Sequence, residues 1–259
     1  MPRESFARTM VVATCLCVVC SVLVSSATVL LRPKQEANQK RQMQKDILQV
    51  TGRYDATVPL ADLFQQVETR LVDLAAGDYV DPATIDPAKF DPKAAAKDPA
   101  LSVAIDRADD LAGITRREKY APVYLVKGPA GALDQVVLPV RGKGLWSTMY
   151  GFLSLESNLQ TVHGITFYEH AETPGLGGEI DNPRWQAKWQ GKVLFDDQGA
   201  PRIEAARGDI DLSQPDAVHQ IDALAGATIT TRGVTDMIRY WLGRHGFGPF
   251  LDKQKGKVR

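Results

Sequence analysis

The chain has 259 residues, 44% of them hydrophobic and 24% charged, with 31 Lys and Arg against 31 Asp and Glu. These are globular values, and they exclude both a strongly basic nucleic-acid binder and an acidic disordered chain. The zero net charge is a cancellation: residues 1–45 hold seven basic and two acidic groups, +5, and the rest holds 24 basic against 29 acidic, −5.

The basic head contains Met10–Leu31, an uncharged stretch whose polar atoms belong only to Ser, Thr and Cys. About 20 helical residues cross a bilayer core, so this run predicts a transmembrane helix. A cleaved signal peptide processed at Ser25-Ser26-Ala27 is the competing reading. The apolar run continues through Val29, Leu30 and Leu31, which favours a retained span. All three cysteines (Cys15, Cys17, Cys20) lie inside it, so the body has neither a disulfide nor a cysteine-ligated metal. Five basic residues follow the span and two precede it, so local charge alone places the body in the cytoplasm, although large C-terminal domains cross regardless of charge.

Residues 32–45 read as a polar juxtamembrane helix or tether, which Asp46–Tyr54 can extend. Leu60–Leu74 predicts a helix, with Pro59 at its start and Leu60, Leu63, Phe64, Val67, Leu71 and Val72 at helical spacing. Asp81–Ala100 repeats Asp-Pro four times, which breaks helix and ladder alike and predicts a surface loop. Strands are expected at Val123–Lys127, Val136–Val140, Gly164–Tyr168 and Lys192–Phe195, the last joined to Arg202–Ala206 as a hairpin through Asp196–Gly199. The last strong element is a helix over about Gly233–Gly243, capped by Thr230 or Thr231. Strands flanked by helices without βαβ alternation give an α+β class.

Three segments are unlike ordinary loop. Gly142–Trp146 is a glycine-flanked turn carrying an aromatic. Glu172–Glu179 has three glycines in four residues around Leu176, which serve either a tight turn or close approach to a flat ligand. Asp222–Thr231 runs from small residues into hydroxyls before a helix, which fits either a simple N-cap or a phosphate site. His170 lies among Glu169 and Glu172, but this group reads as a solvated edge, and no metal site is expected. No nucleophile elbow, P-loop or dinucleotide fingerprint occurs.

These segments resemble the C subunits of the sodium-translocating NADH:quinone reductase. Gly144-Leu145-Trp146-Ser147-Thr148-Met149-Tyr150-Gly151-Phe152 looks like that family's signature, and Glu172–Gly177 resembles the Glu-Thr-Pro-Gly-Leu-Gly motif of FMN-binding domains. Asp222–Thr228 is similar to the flavinylation motif, with Ala225 where Ser or Thr is usual. The resemblance implies a bacterial inner-membrane protein with one N-terminal transmembrane helix and a soluble mixed α/β FMN-binding domain. Residues 1–9 would be a cytoplasmic tail, 10–31 the span, 32–59 a juxtamembrane tether and 60–259 a periplasmic domain, with the FMN region at about 140–245. It implies FMN attached to Thr228 by a phosphothreonyl ester, with Asp222 serving the flavin transferase. Trp146, Glu172, Thr173, Leu176, Gly177, Gly226, Ala227 and Thr230 would bind the cofactor. Thr230 would donate to a phosphate oxygen, and backbone N–H groups would meet the ring's polar edge. Electrons would pass singly from an iron–sulfur centre to the FMN of a neighbouring subunit, in a complex that exports sodium. Partners are then the other subunits, the transferase and membrane lipid, with no nucleic acid. The rivals are the related G subunit of Rnf-type ferredoxin:NAD complexes and a membrane-anchored scaffold without cofactor.

Overall fold

The computed structural model describes residues 6–128, 131–206, 208 and 210–258. The chain divides into two compact units, one through Gln44 and one from Lys45 onward. The described residues of the first unit belong to helix α1 (Phe6–Val50), whose apolar part is long enough to cross a membrane and whose interior includes Pro33. Among the described residues it is the one helix of that kind.

The second unit begins inside the stretch expected to be a tether. Ile47 and Leu48 are fully buried, Val50 nearly so, and the Thr51 carbonyl accepts from Gln135 Nε2 at 3.3 Å. Residues 45–51 are therefore part of the folded body, because their apolar side chains have a sheet to cover.

The body is built on a five-stranded antiparallel sheet in the order β1-β4-β5-β6-β7. Its strands are β1 (Val67–Asp73), β4 (Tyr120–Lys127), β5 (Leu133–Lys143), β6 (Thr148–Glu156) and β7 (Val162–Glu169). Strands β4 to β7 form a meander, and β1 lies antiparallel beside β4. Val136, Leu138, Val140, Met149, Leu153, Leu155, Ile165 and Phe167 form one core with α5 (Thr228–Leu242) through Val234, Met237, Ile238, Trp241 and Leu242. By the period-2 alternation of strands, Phe152 and Tyr168 face the other way, where their rings stack at 4.9 Å.

Helix and sheet meet closely because each contributes a glycine to the contact. A Cβ on Gly233 would overlap the Lys143 carbonyl oxygen, and one on Gly142 would lie 2.6 Å from Met237 Cβ. This places the N-terminal half of α5 directly over the β5–β6 turn.

Several expected elements differ. The helix predicted over Leu60–Leu74 stops at Phe64 (α2, Leu60–Phe64), and Val67–Asp73 is strand β1. Leu71 and Val72 point to opposite faces of a sheet covered on both sides, so both are buried; that pattern imitates helical spacing. In the Asp-Pro segment, Asp81, Asp86, Asp91 and Asp98 each accept the amide two residues on, making a series of Asx turns. One of these turns also caps a short helix, α3 (Pro92–Lys97), since proline suits a first helical position. Beyond it, β2 (Ser102–Ala104) and β3 (Arg116–Glu118) form a separate two-stranded sheet.

The expected hairpin after Lys192 closes at Asp196–Gly199 but makes only the single bridge Phe195 to Pro201. Strand β8 (Glu204–Ala206) instead pairs in parallel with β9 (Gln220–Asp222). Helix α5 starts five residues earlier than expected. Its cap is Ala227, with no side-chain hydrogen bond, because the Thr230 and Thr231 hydroxyls are used elsewhere. A further helix, α6 (Gly248–Val258), follows it. The α+β class holds.

Candidate functional site

The turn between β5 and β6 presents three successive amides inward. Leu145 N–H (3.2 Å), Trp146 N–H (3.0 Å) and Ser147 N–H (3.1 Å) all donate to the Glu172 carboxylate. Ser147 Oγ donates to the same carboxylate at 3.3 Å and accepts from the Ala171 amide at 2.8 Å. From the first turn of α5, Thr230 Oγ1 donates to Glu172 Oε2 at 2.7 Å. Glu172 is 4% exposed, so an ionised carboxylate is held inside the fold by five donors. Burial pushes its pKa up, but the Thr230 hydroxyl and the three amides outweigh burial and hold the carboxyl below its ordinary range.

The glycines around this carboxylate leave space for it. A Cβ on Gly144 would meet Glu172 Oε1 at 2.5 Å, and one on Gly177 would meet Thr230 Oγ1 at 2.6 Å. Gly226 adopts φ +71°, which glycine favours, and its Cβ position lies 3.0 Å from Leu176 Cδ2. The three segments singled out in the sequence therefore meet, with Glu172 as their shared partner. The Thr173 carbonyl accepts from the Leu176 and Gly178 amides, at 3.1 and 2.9 Å, and forms the glycine-rich turn.

Thr228 is the first residue of α5 and is exposed, next to exposed Gly226 and buried Ala227. Thr231 Oγ1 accepts from the Leu224 amide (3.0 Å) and donates to the Ala227 carbonyl (3.1 Å), which pins the loop that presents Thr228. A helix start without a side-chain cap leaves first-turn amides available to an anion. Leu145, Trp146, Leu176 and Ile229 are exposed, Trp146 to 67%. Each adjoins a residue that touches Glu172 or Thr230, so the outer surface of the convergence is apolar and includes an indole.

The structure gives Thr230 a role other than the expected one. Thr230 is 1% exposed and its hydroxyl is committed to Glu172, so it braces the site where donation to a phosphate oxygen was expected. The amides of residues 145–147 likewise serve Glu172. Ser147 is a member of the site that residue type alone does not single out; it lies inside the signature run from Gly144, which is the available signal.

Asp222 lies outside this hub, under α4 (Pro183–Ala187). Its carbonyl accepts from Trp185 Nε1 at 2.9 Å, and its carboxylate pairs with Lys188. His170 Nδ1 accepts from the Glu172 amide at 3.2 Å, so Nε2 carries the proton and donates to Asp181 at 2.8 Å. Among the described residues no group of three His, Cys, Asp or Glu is placed to hold a metal ion.

The family model described as FMN-binding domain matches residues 144–243, which contain the second and third converging segments whole and the first from Gly144 onward. The chain is 47% identical to the C subunit of the Na(+)-translocating NADH-quinone reductase of Pseudomonas aeruginosa, over 99% of each chain. It is 44% identical to the corresponding C subunit of Yersinia pestis, over 97% of this chain and 94% of that one. Among solved structures, NqrC of Shewanella oneidensis superposes with a TM-score of 0.78 at 33% identity, covering 85% of this chain and 99% of that one. The C subunit from Parabacteroides distasonis, 24% identical with a TM-score of 0.65, shares the fold.

Proposed function

We propose that this chain, which belongs to the family of Na(+)-translocating NADH-quinone reductase C subunits, carries FMN covalently on Thr228 and relays single electrons with it. The observation that carries this reading is the placement of an exposed threonine at an uncapped helix start, beside an apolar surface whose backbone is locked by Glu172.

The residues fit such a group. Exposed Leu145, Trp146, Leu176 and Ile229 offer contact to a flat ring system, and the α5 N-terminus offers amides and a favourable dipole to a phosphate. FMN, when attached, supplies the redox chemistry, and the protein binds and orients it. Thr173, Gly177, Gly226 and Ala227 shape the backbone that would receive it. Glu172 and Thr230 act through that backbone as positioning residues.

An ester between threonine and a flavin phosphate forms only from an activated donor, such as flavin adenine dinucleotide. Thr228 Oγ forms the new bond to the flavin-side phosphorus. The P–O bond of the anhydride breaks, AMP leaves with the bonding pair, and the hydroxyl proton passes to a base of the transferase. Gly226 and Ala227 give the incoming phosphorus a path free of bulky side chains.

Within the complex, the reading has electrons arriving from an iron–sulfur centre and leaving to the FMN of a neighbouring subunit. It puts residues 1–9 in the cytoplasm, 10–31 in the inner membrane and the flavin-bearing body in the periplasm. The chain purified from its native host should keep flavin fluorescence through denaturing electrophoresis; a dark band would support the cofactor-free scaffold. For topology, a reporter enzyme active only outside the cytoplasm, fused after Arg259, should be active. An inactive reporter with an active cytoplasmic counterpart would reverse the orientation.

A further inference from the structure

Asp222 ends β9 and is held at two points by one turn of chain. Trp185, 4% exposed, fixes its backbone through the indole N–H, and Lys188, three residues later, covers its carboxylate. Lys192 also lies in the field of this carboxylate: burial pushes its ammonium pKa down and Asp222 draws it back up. Lys192 Nζ itself donates to the Ala217 carbonyl at 2.9 Å, so Lys188 is the ammonium that occupies Asp222 directly. The two anchors differ in strength. The indole bond is part-buried and made by a ring only 4% exposed, whereas the ion pair leaves its side chains 50% and 35% exposed, where such pairs contribute little and are readily broken.

From this contrast we propose that Lys188 is a guard on Asp222: it occupies the carboxylate in the unmodified chain and must release it before flavin transfer to Thr228. The proposal rests on the reading of Thr228 as the acceptor and of Asp222 as a group the transferase uses. The backbone of Asp222 stays in place through Trp185 while its carboxylate is exchanged. Lys188 is thus a positioning residue, and breaking its pair adds to the free energy of the encounter without entering the phosphoryl step.

The test uses the full-length chain produced without transferase, solubilised in detergent, with purified flavin transferase, Mg²⁺ and flavin adenine dinucleotide. Incorporation is followed as in-gel flavin fluorescence. Lys188→Met should lower KM for the acceptor chain by up to about fivefold, the factor to which roughly 1 kcal/mol converts, with kcat unchanged. Lys188→Arg should keep the KM of the natural chain. The difference between natural chain and Lys188→Met should close as salt is raised, because an exposed pair is screened. An unchanged or raised KM in Lys188→Met, with its thermal midpoint intact, would overturn the guard role. No incorporation into the natural chain would instead remove the acceptor reading, and the guard with it.

Discussion

Thr228→Ala is expected to abolish covalent flavin completely. The full-length chain should run as a dark band under denaturing conditions, where the natural chain fluoresces, and its intact mass should lack the FMN increment. Under the proposed attachment the effect is all-or-none, because the side-chain oxygen would form the phosphoester and no neighbouring hydroxyl is free to replace it. Thr230 and Thr231 are both buried and committed, to Glu172 and to the Ala227 carbonyl. Thr228 makes the exposed first turn of α5, so its loss should move the thermal midpoint little; surface substitutions of this kind stay within about 0.5 kcal/mol. Thr228→Ser restores an oxygen at the same position and should regain labelling. Persistent fluorescence in Thr228→Ala would move the acceptor elsewhere.

Glu172→Gln is expected to be the most damaging single-atom exchange in the body. The carboxylate accepts from five donors, and a carboxamide turns an N–H₂ group toward some of them. Losing charge-assisted hydrogen bonds and leaving buried donors unpaired should cost about 3 kcal/mol, or a midpoint lower by roughly 6–12 °C. Circular dichroism melts of the full-length chain would measure this, and flavin incorporation should fall with it as the turn holding Trp146 loosens.

Acidity supplies a separate signature. The folded carboxyl is held below its usual range, so its contribution is full above the unfolded value of about 4.3 and is lost as pH falls through the folded value. The stability gap between the natural chain and Glu172→Gln should therefore be constant at neutral pH and shrink on acidification below roughly pH 4. A gap independent of pH down to the acid transition would mean that shape at this position matters and charge does not.

Legibility in the sequence varied with the signal each element carried. Strands β4, β5 and β7 were readable because their β-branched runs are short and bounded by turns. Strand β1 was not, since two adjacent buried residues, Leu71 and Val72, fit a helix period until β4 is seen beside them. Strand β6 was hidden inside a stretch read as a motif, and α6 behind a tail of lysines.

For the site, residue types pointed to the three segments, because glycines, small residues and hydroxyls cluster there, and the resemblance to the flavinylation motif pointed to Thr228. Their mutual arrangement was not readable. A glutamate at the head of Glu-Thr-Pro-Gly looks like loop surface, and only the fold shows three amides from a distant turn aimed at it. Asp222 was recognisable as a residue, but its ion pair depends on α4 folding over β9.

The carboxylate of Glu172 draws every one of its donors from the chain itself. The turn that carries Trp146 and the first turn of α5 are thus held together by the chain's own groups. Under the proposed attachment at Thr228, loading would then be separate from the folding of the turn that carries Trp146.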